Sequence, residues 1–195
     1  MLNEIENLTK QLHQMEMSYW FHHDIFTFQW WFIVVVNVLF FLALLFLIDK
    51  GRTLRIILAF MFSFVILGTI DQIGQYFELW SYAHEFIAFT ENYNAVDFLA
   101  VPSIFALTYQ MFTSWRIFLV ASLFVCLFNA FIAEPIFVAL DIYHLDHWSY
   151  FGSFIILYFV VILVKALTDF VGRNNTTDDY RSTTQQVFQR KQKAR

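Results

Sequence analysis

From residue 28 to residue 48 the chain carries no charged side chain, and the run stops abruptly at Asp49-Lys50-Gly51-Arg52. A hydrocarbon core about 30 Å thick is crossed by roughly 20 helical residues, so this stretch predicts a transmembrane helix. Four further apolar stretches follow, at about 54–79, 96–113, 117–140 and 150–167. The third is the shortest and contains Pro102, which costs little near the first turns of a helix. The pattern predicts an all-α fold, a polytopic membrane helix bundle of five transmembrane helices over residues 28–167. Residues 1–27 precede it as an extracytoplasmic segment, and 168–195 follow as a disordered, basic cytoplasmic tail.

Composition agrees. With 59% hydrophobic and 21% aromatic residues, the chain has too little polar surface to cover a soluble domain of its size. Only 5 Gly and 2 Pro accompany 26 Phe, leaving few built-in hinges. Cys126, the sole cysteine, falls within an apolar run and can form neither an internal disulfide nor a thiolate metal site by itself. Residues 1–27 are polar and acidic, without the apolar core of a secretory signal, so the mature chain is expected to start at Met1. Leu2, Ile5, Leu8 and Leu12 recur at helical spacing, which predicts either an amphipathic helix on the membrane surface or a solvated tail.

Charge sets the orientation. Five crossings leave Lys10 alone among the 12 Lys and Arg residues on one side and place the other eleven on the opposite side. By the positive-inside rule the N-terminus is outside and the C-terminus cytoplasmic. Trp20, Trp30, Trp31, Trp80 and Trp148 then fall at the outer boundary and Trp115 at the inner one, where indoles concentrate. The expected location is the cell membrane.

The same topology gathers acids outside. At a rise of 1.5 Å per residue, Asp71 lies about 24 Å from Arg55 and Glu134 about 27 Å from Arg116, both still at membrane depth. Asp97 opens the third helix at a similar level, where it also suits a helix N-cap. Gln75 and Glu78 follow Asp71 on one helical face, and Asn129 is one of the groups that could donate a hydrogen bond to these carboxylates. The candidate polar cluster is therefore Asp71, Gln75, Glu78, Asp97, Asn129 and Glu134. No basic residue of the chain shares its depth, so its carboxylates must hold protons, meet a cation, accept hydrogen bonds or face a basic partner. The bland alternative is a hydrogen-bonded cluster that only ties helices together.

All six histidines also lie outside. Asp141, His144 and His147 stand three residues apart, and on a helix they would converge and could hold zinc or another divalent ion. Solvated loop residues are the alternative, and a pH sensor a third use. No histidine sits mid-membrane, which argues against a haem held between helices.

Several phrases resemble those of an uncharacterised family of small multi-pass membrane proteins of endospore-forming Firmicutes. They are Leu79-Trp80-Ser81-Tyr82, Asp97 with Pro102 and Tyr109-Gln110, and above all Glu134-Pro135-Ile136-Phe137 followed by Tyr143, Trp148 and Phe151-Gly152-Ser153-Phe154. The resemblance covers roughly residues 30–165 and implies a cytoplasmic-membrane location with no assigned activity. Where that family has a proline after the Ser-Phe pair this chain has Ile155, implying a less kinked fifth helix. A fainter similarity to lycopene-cyclase membrane domains rests on Asp71, Trp80 and Tyr82. Pro102 is followed by Ser103-Ile104-Phe105 where that family has an acidic pair, which argues against cyclase activity.

These observations favour a non-enzymatic accessory or sensor protein whose cluster binds a proton, a cation or a partner, either another membrane protein or a second copy of the chain. The alternatives are an acid-base enzyme on an isoprenoid-like lipid, or a small oligomeric transporter. The transporter is disfavoured by the absence of repeats. No phosphate-binding Gly loop, nucleophile elbow or zinc-protease motif is present. Nucleic-acid binding has no support, because the only basic patch is a short tail.

Overall fold

The computed structural model describes residues 1–87, 95–96 and 98–193, with side chains through Gly172. Asp97, one of the candidate carboxylates, lies outside the described residues. The chain folds as an all-α membrane helix bundle in which four helices are long and apolar enough to cross a bilayer. They are α2 (Phe28–Leu47), α3 (Thr53–Tyr76), the continuous stretch Trp115–Ala139 and the first part of α7, Tyr150–Gly172.

α1 (Leu2–Tyr19) is a helix with no buried residue, and Leu2, Ile5, Leu8 and Leu12 are all exposed along it. A π-helical turn, Trp20–Asp24, and a left-handed Phe26 (φ 65°) end it. Thr27 then caps α2, its hydroxyl accepting from the Trp30 N–H at 3.2 Å, as Ser and Thr do at helix starts.

The third apolar stretch departs most from expectation. Its helix, α4 (Ala100–Met111), has only 12 residues, about 18 Å of rise, against the expected 96–113. Asn37 explains where it begins. This residue sits about 14 Å into α2 with 0% exposure, and its Oδ1 accepts from the backbone N–H groups of Leu99 and Ala100, both at 3.0 Å. Its Nδ2 donates to the carbonyls of Ala95 (2.7 Å) and Ile33 (3.0 Å). Asn37 thus caps α4 from a neighbouring helix, supplying partners that a helix start needs. Pro102 occupies the third helical position, where no intrahelical donor is required. At the other end Gln110 binds the α2–α3 turn, donating to the Leu47 carbonyl at 2.7 Å and accepting from the Asp49 N–H at 2.8 Å.

α4 is buried nearly all round, as expected of a helix apolar on every face. Val101, Phe105, Ala106 and Tyr109 pack with Ile56, Ala59 and Leu67 of α3, Phe118 and Cys126 of α5 (Trp115–Phe128), and Val160, Val161 and Val164 of α7 (Tyr150–Lys193). A helix enclosed in this way meets protein rather than lipid, so its length need not match the bilayer.

Two further differences concern the chain ends of helices. α5 passes through a π-helical turn, Asn129–Ala133, into α6 (Glu134–Ala139). Pro135 accounts for the change, because it lacks an N–H and its ring crowds the carbonyl four residues back, which the wider turn relieves. α7 continues beyond residue 167, where disorder was expected. Thr168 bonds the Val164 carbonyl at 2.7 Å and Asp169 accepts from the Tyr109 hydroxyl at 2.8 Å, holding this turn to the bundle.

Candidate functional site

At the end of the bundle that carries α1, two short strands lie across the helix tips. β1 (Trp80–Tyr82) pairs antiparallel with β2 (Tyr143–Leu145), Trp80 opposite Leu145, Ser81 opposite His144 and Tyr82 opposite Tyr143. Side chains alternate along a strand and directly opposed residues share a face. Tyr82 and Tyr143, with ring centroids 5.2 Å apart, therefore point together, and both line a cavity of about 110 Å³ beneath the ribbon. Ser81 and His144 take the other face.

Asp71 enters this cavity from α3 with 3% exposure. Its Oδ1 accepts from the Trp80 indole at 3.0 Å and the Tyr82 hydroxyl at 2.8 Å, and its Oδ2 from the Gln75 amide, one turn on, at 3.1 Å. Glu134 enters from the start of α6, directly after the π-helical turn, and Asn129 from the beginning of that turn. Ser153 donates to Glu134 Oε1 at 2.8 Å and itself accepts from the Trp148 indole at 3.1 Å. The Tyr143 hydroxyl is a further hydrogen-bond partner of Glu134. Each carboxylate is thus served by one tyrosine of the ribbon and, directly or through Ser153, by one tryptophan.

Both tryptophans depend on a glycine. A Cβ at Gly74 would lie 1.9 Å from Trp80 Cζ2, and one at Gly152 would lie 2.8 Å from Trp148 Cε2 and Cζ2. The rings rest on bare helix backbone, which lets them reach Asp71 and Ser153 and meet edge-on at 5.5 Å. Leu67, Ile70, Val101, Phe137, Ile156 and Leu157 complete the apolar walls, and none of the described residues lining the cavity is basic.

Of the candidate cluster, Asp71, Asn129 and Glu134 meet at this cavity and Gln75 supports Asp71. Glu78 does not belong. α3 ends at Tyr76, Glu78 adopts a left-handed φ of 53° and its side chain is exposed. The Asp141, His144 and His147 triad is also corrected, because this segment contains a strand and not the helix that would converge its ligands. His144 Nε2 lies 3.4 Å from Asp141 Oδ1, whereas His147 Nδ1 is 3.1 Å from the Glu78 carbonyl. Among the described residues no group of three His, Cys, Asp or Glu side chains is arranged to hold a metal ion.

Two buried polar groups were not visible in the sequence as sites. One is Asn37. The other is Lys165, 2% exposed, whose Nζ donates to the Thr113 carbonyl at 3.2 Å and lies 3.5 Å from Asp169 Oδ2. The rings of Tyr109, Trp115 and Phe118 surround this ammonium at 4.8, 5.2 and 4.8 Å. The i,i+4 spacing of Lys165 and Asp169 was the one available signal. The ring partners come from elements far away in sequence.

The fold and cavity define an integral membrane helix bundle with an acidic, aromatic-walled pocket under a β-ribbon at one end. Searches of family models, curated proteins and solved structures find nothing that matches the chain.

Proposed function

We propose that this is a multi-pass protein of the cell membrane, a non-enzymatic accessory or sensor protein whose outer cavity captures a small cation. The observation that carries the reading is the meeting of Asp71 and Glu134, from separate helices, in one cavity walled by Trp and Tyr with no basic side chain among its described lining residues. Carboxylates at membrane depth without a lysine or arginine among them attract positive charge from outside the protein. The proposed topology has five crossings with the N-terminus outside. α4 is the helical part of the third crossing, and Ala95, Val96, Phe98 and Leu99 lead into it as non-helical chain. Irregular backbone at membrane depth is tolerated where it is enclosed by protein or lines a cavity, and Ala95 and Val96 border this one.

Membership in the Firmicutes family is part of the same proposal. Glu134, Phe137, Tyr143, Trp148 and Ser153, which carry most of the resemblance, all line the cavity. An isoprenoid-transforming enzyme is less well supported. The cavity volume of about 110 Å³ is below the roughly 150 Å³ that accommodates benzene.

The test is the double substitution Asp71→Asn with Glu134→Gln in purified protein in detergent. Cation-dependent thermal stabilisation is expected in the parent and absent in the double variant; identical melting profiles across cations would refute the reading. Reporter fusions at the two termini should place them in opposite compartments.

A further inference from the structure

Resting on the cation reading, we propose that the cavity ligand is a small organic ammonium ion, a primary or methylated amine, rather than a metal ion. The lining chemistry separates the two. A hard metal ion needs about six or more oxygen ligands at about 2.0–2.6 Å, whereas Asp71 already accepts the Trp80, Tyr82 and Gln75 donors, and no three-ligand group exists among the described residues. An ammonium ion asks for less. It is satisfied by one or two carboxylate or amide oxygens on one side and by aromatic rings on the others. Glu134, Asn129, Trp80, Trp148, Tyr82 and Tyr143 offer that combination.

The opposite end of the bundle realises this chemistry with the chain's own side chain. There the Lys165 ammonium sits among three rings at 4.8–5.2 Å with a carboxylate 3.5 Å away. The ribbon-end cavity has the same ingredients, with no internal ammonium among its described lining residues. Its volume of about 110 Å³ selects a compact ion, since a water molecule's share of liquid is about 30 Å³. A second recess of about 370 Å³ between α1 and the ribbon shares Tyr82 as a wall. Glu16, Glu85, Tyr19 and Trp20 are among its lining residues, so the surface beside the cavity repeats the pairing of carboxylates with rings.

The experiment titrates full-length protein in lipid nanodiscs, at constant ionic strength, with methylammonium, tetramethylammonium, sodium, calcium and the uncharged tert-butanol. Melting temperature and intrinsic tryptophan fluorescence are read. The expected result is a saturable rise in melting temperature with at least one ammonium, none with tert-butanol, and loss of the response in the Asp71→Asn, Glu134→Gln double variant. Trp148→Leu should weaken binding by about fivefold or more, the range that loss of a desolvated cation–π contact implies, whereas Trp148→Phe retains most of it. Should Trp148→Leu fail to fold, Tyr143→Leu provides the same comparison. Stabilisation by sodium or calcium alone overturns the ammonium assignment and leaves the cation reading standing. An equal response to tert-butanol, or an unchanged response in the leucine variants, also overturns it. If no cation acts, both readings fall.

Discussion

Replacing Asn37 with Leu tests the account of the shortened α4 directly. The two side chains have similar size, so the main loss is polar. Three long-range partners are stranded, the Ala95 carbonyl at 2.7 Å and the Leu99 and Ala100 N–H groups at 3.0 Å each. A buried backbone group left without a partner costs about 1–3 kcal/mol, which gives an upper figure of about 9 kcal/mol for three. Hydrogen bonds inside membrane proteins measure nearer 0.6 kcal/mol on average, because the unfolded chain in the membrane also finds partners, which gives a lower figure of about 2 kcal/mol. The expected destabilisation is roughly 2–5 kcal/mol, between these limits. It is measured by SDS-induced unfolding of the purified protein, followed by circular dichroism. Val38→Leu, one residue along on an exposed face, is the control and should stay within about 0.5 kcal/mol of the parent. An Ala95→Cys reporter, introduced into both backgrounds, should react with maleimide faster when residue 37 is Leu. If Asn37→Leu unfolds within about 0.5 kcal/mol of the parent, near the noise of a neutral surface change, Asn37 does not hold the start of α4 and the reasoning fails.

Gly74→Ala would place a methyl group 1.9 Å from Trp80 Cζ2; it should cost about 1–3 kcal/mol through overpacking and shift tryptophan fluorescence as the ring leaves Asp71. Lys165→Met removes a buried ammonium while leaving the Thr113 carbonyl and Asp169 behind. Because Asp169 is 35% exposed and can recover water, the loss should be about 1–3 kcal/mol, below the 3–5 of a fully buried pair, read by the same unfolding assay. Ser103 Oγ is buried without a hydrogen-bond partner, so Ser103→Ala should stabilise the protein by up to about 1 kcal/mol. Asp49, in the α2–α3 turn, is held below the usual aspartate value of 3.8 by its hydrogen bonds from Arg52 and Gly51. Its contribution is therefore present above the unfolded carboxyl's pKa and lost as pH falls through the lower folded value. Asp49→Asn should remove that acid-side component, and a carboxyl NMR titration of Asp49 with a midpoint at or above 3.8 would contradict it.

Hydropathy and length were enough to locate the four long helices, because lipid imposes a minimum apolar span on any helix that faces it. They placed α4 within the third stretch but could not give its limits. Its limits depend on Asn37, a polar residue inside the most apolar segment, whose partners lie some sixty positions away. Depth counting put Asp71 and Glu134 at one level, and both line the cavity. Helical spacing failed at Glu78, where a left-handed turn ends the helix face, and at the histidines, where three residues of strand replace the assumed helix. Neither the tryptophan seats on Gly74 and Gly152 nor the ring cage of Lys165 could be read in one dimension, because each joins residues through space that no local pattern marks.

The unbroken run of α7 ties the two polar sites together. Ser153, which touches Glu134, and Asp169, which touches Lys165 and Tyr109, stand on one helix, and the sequence between them contains neither Gly nor Pro. Such a stretch has no joint at which to bend. The stretch therefore fixes the spacing of the two sites at about 24 Å of helical rise.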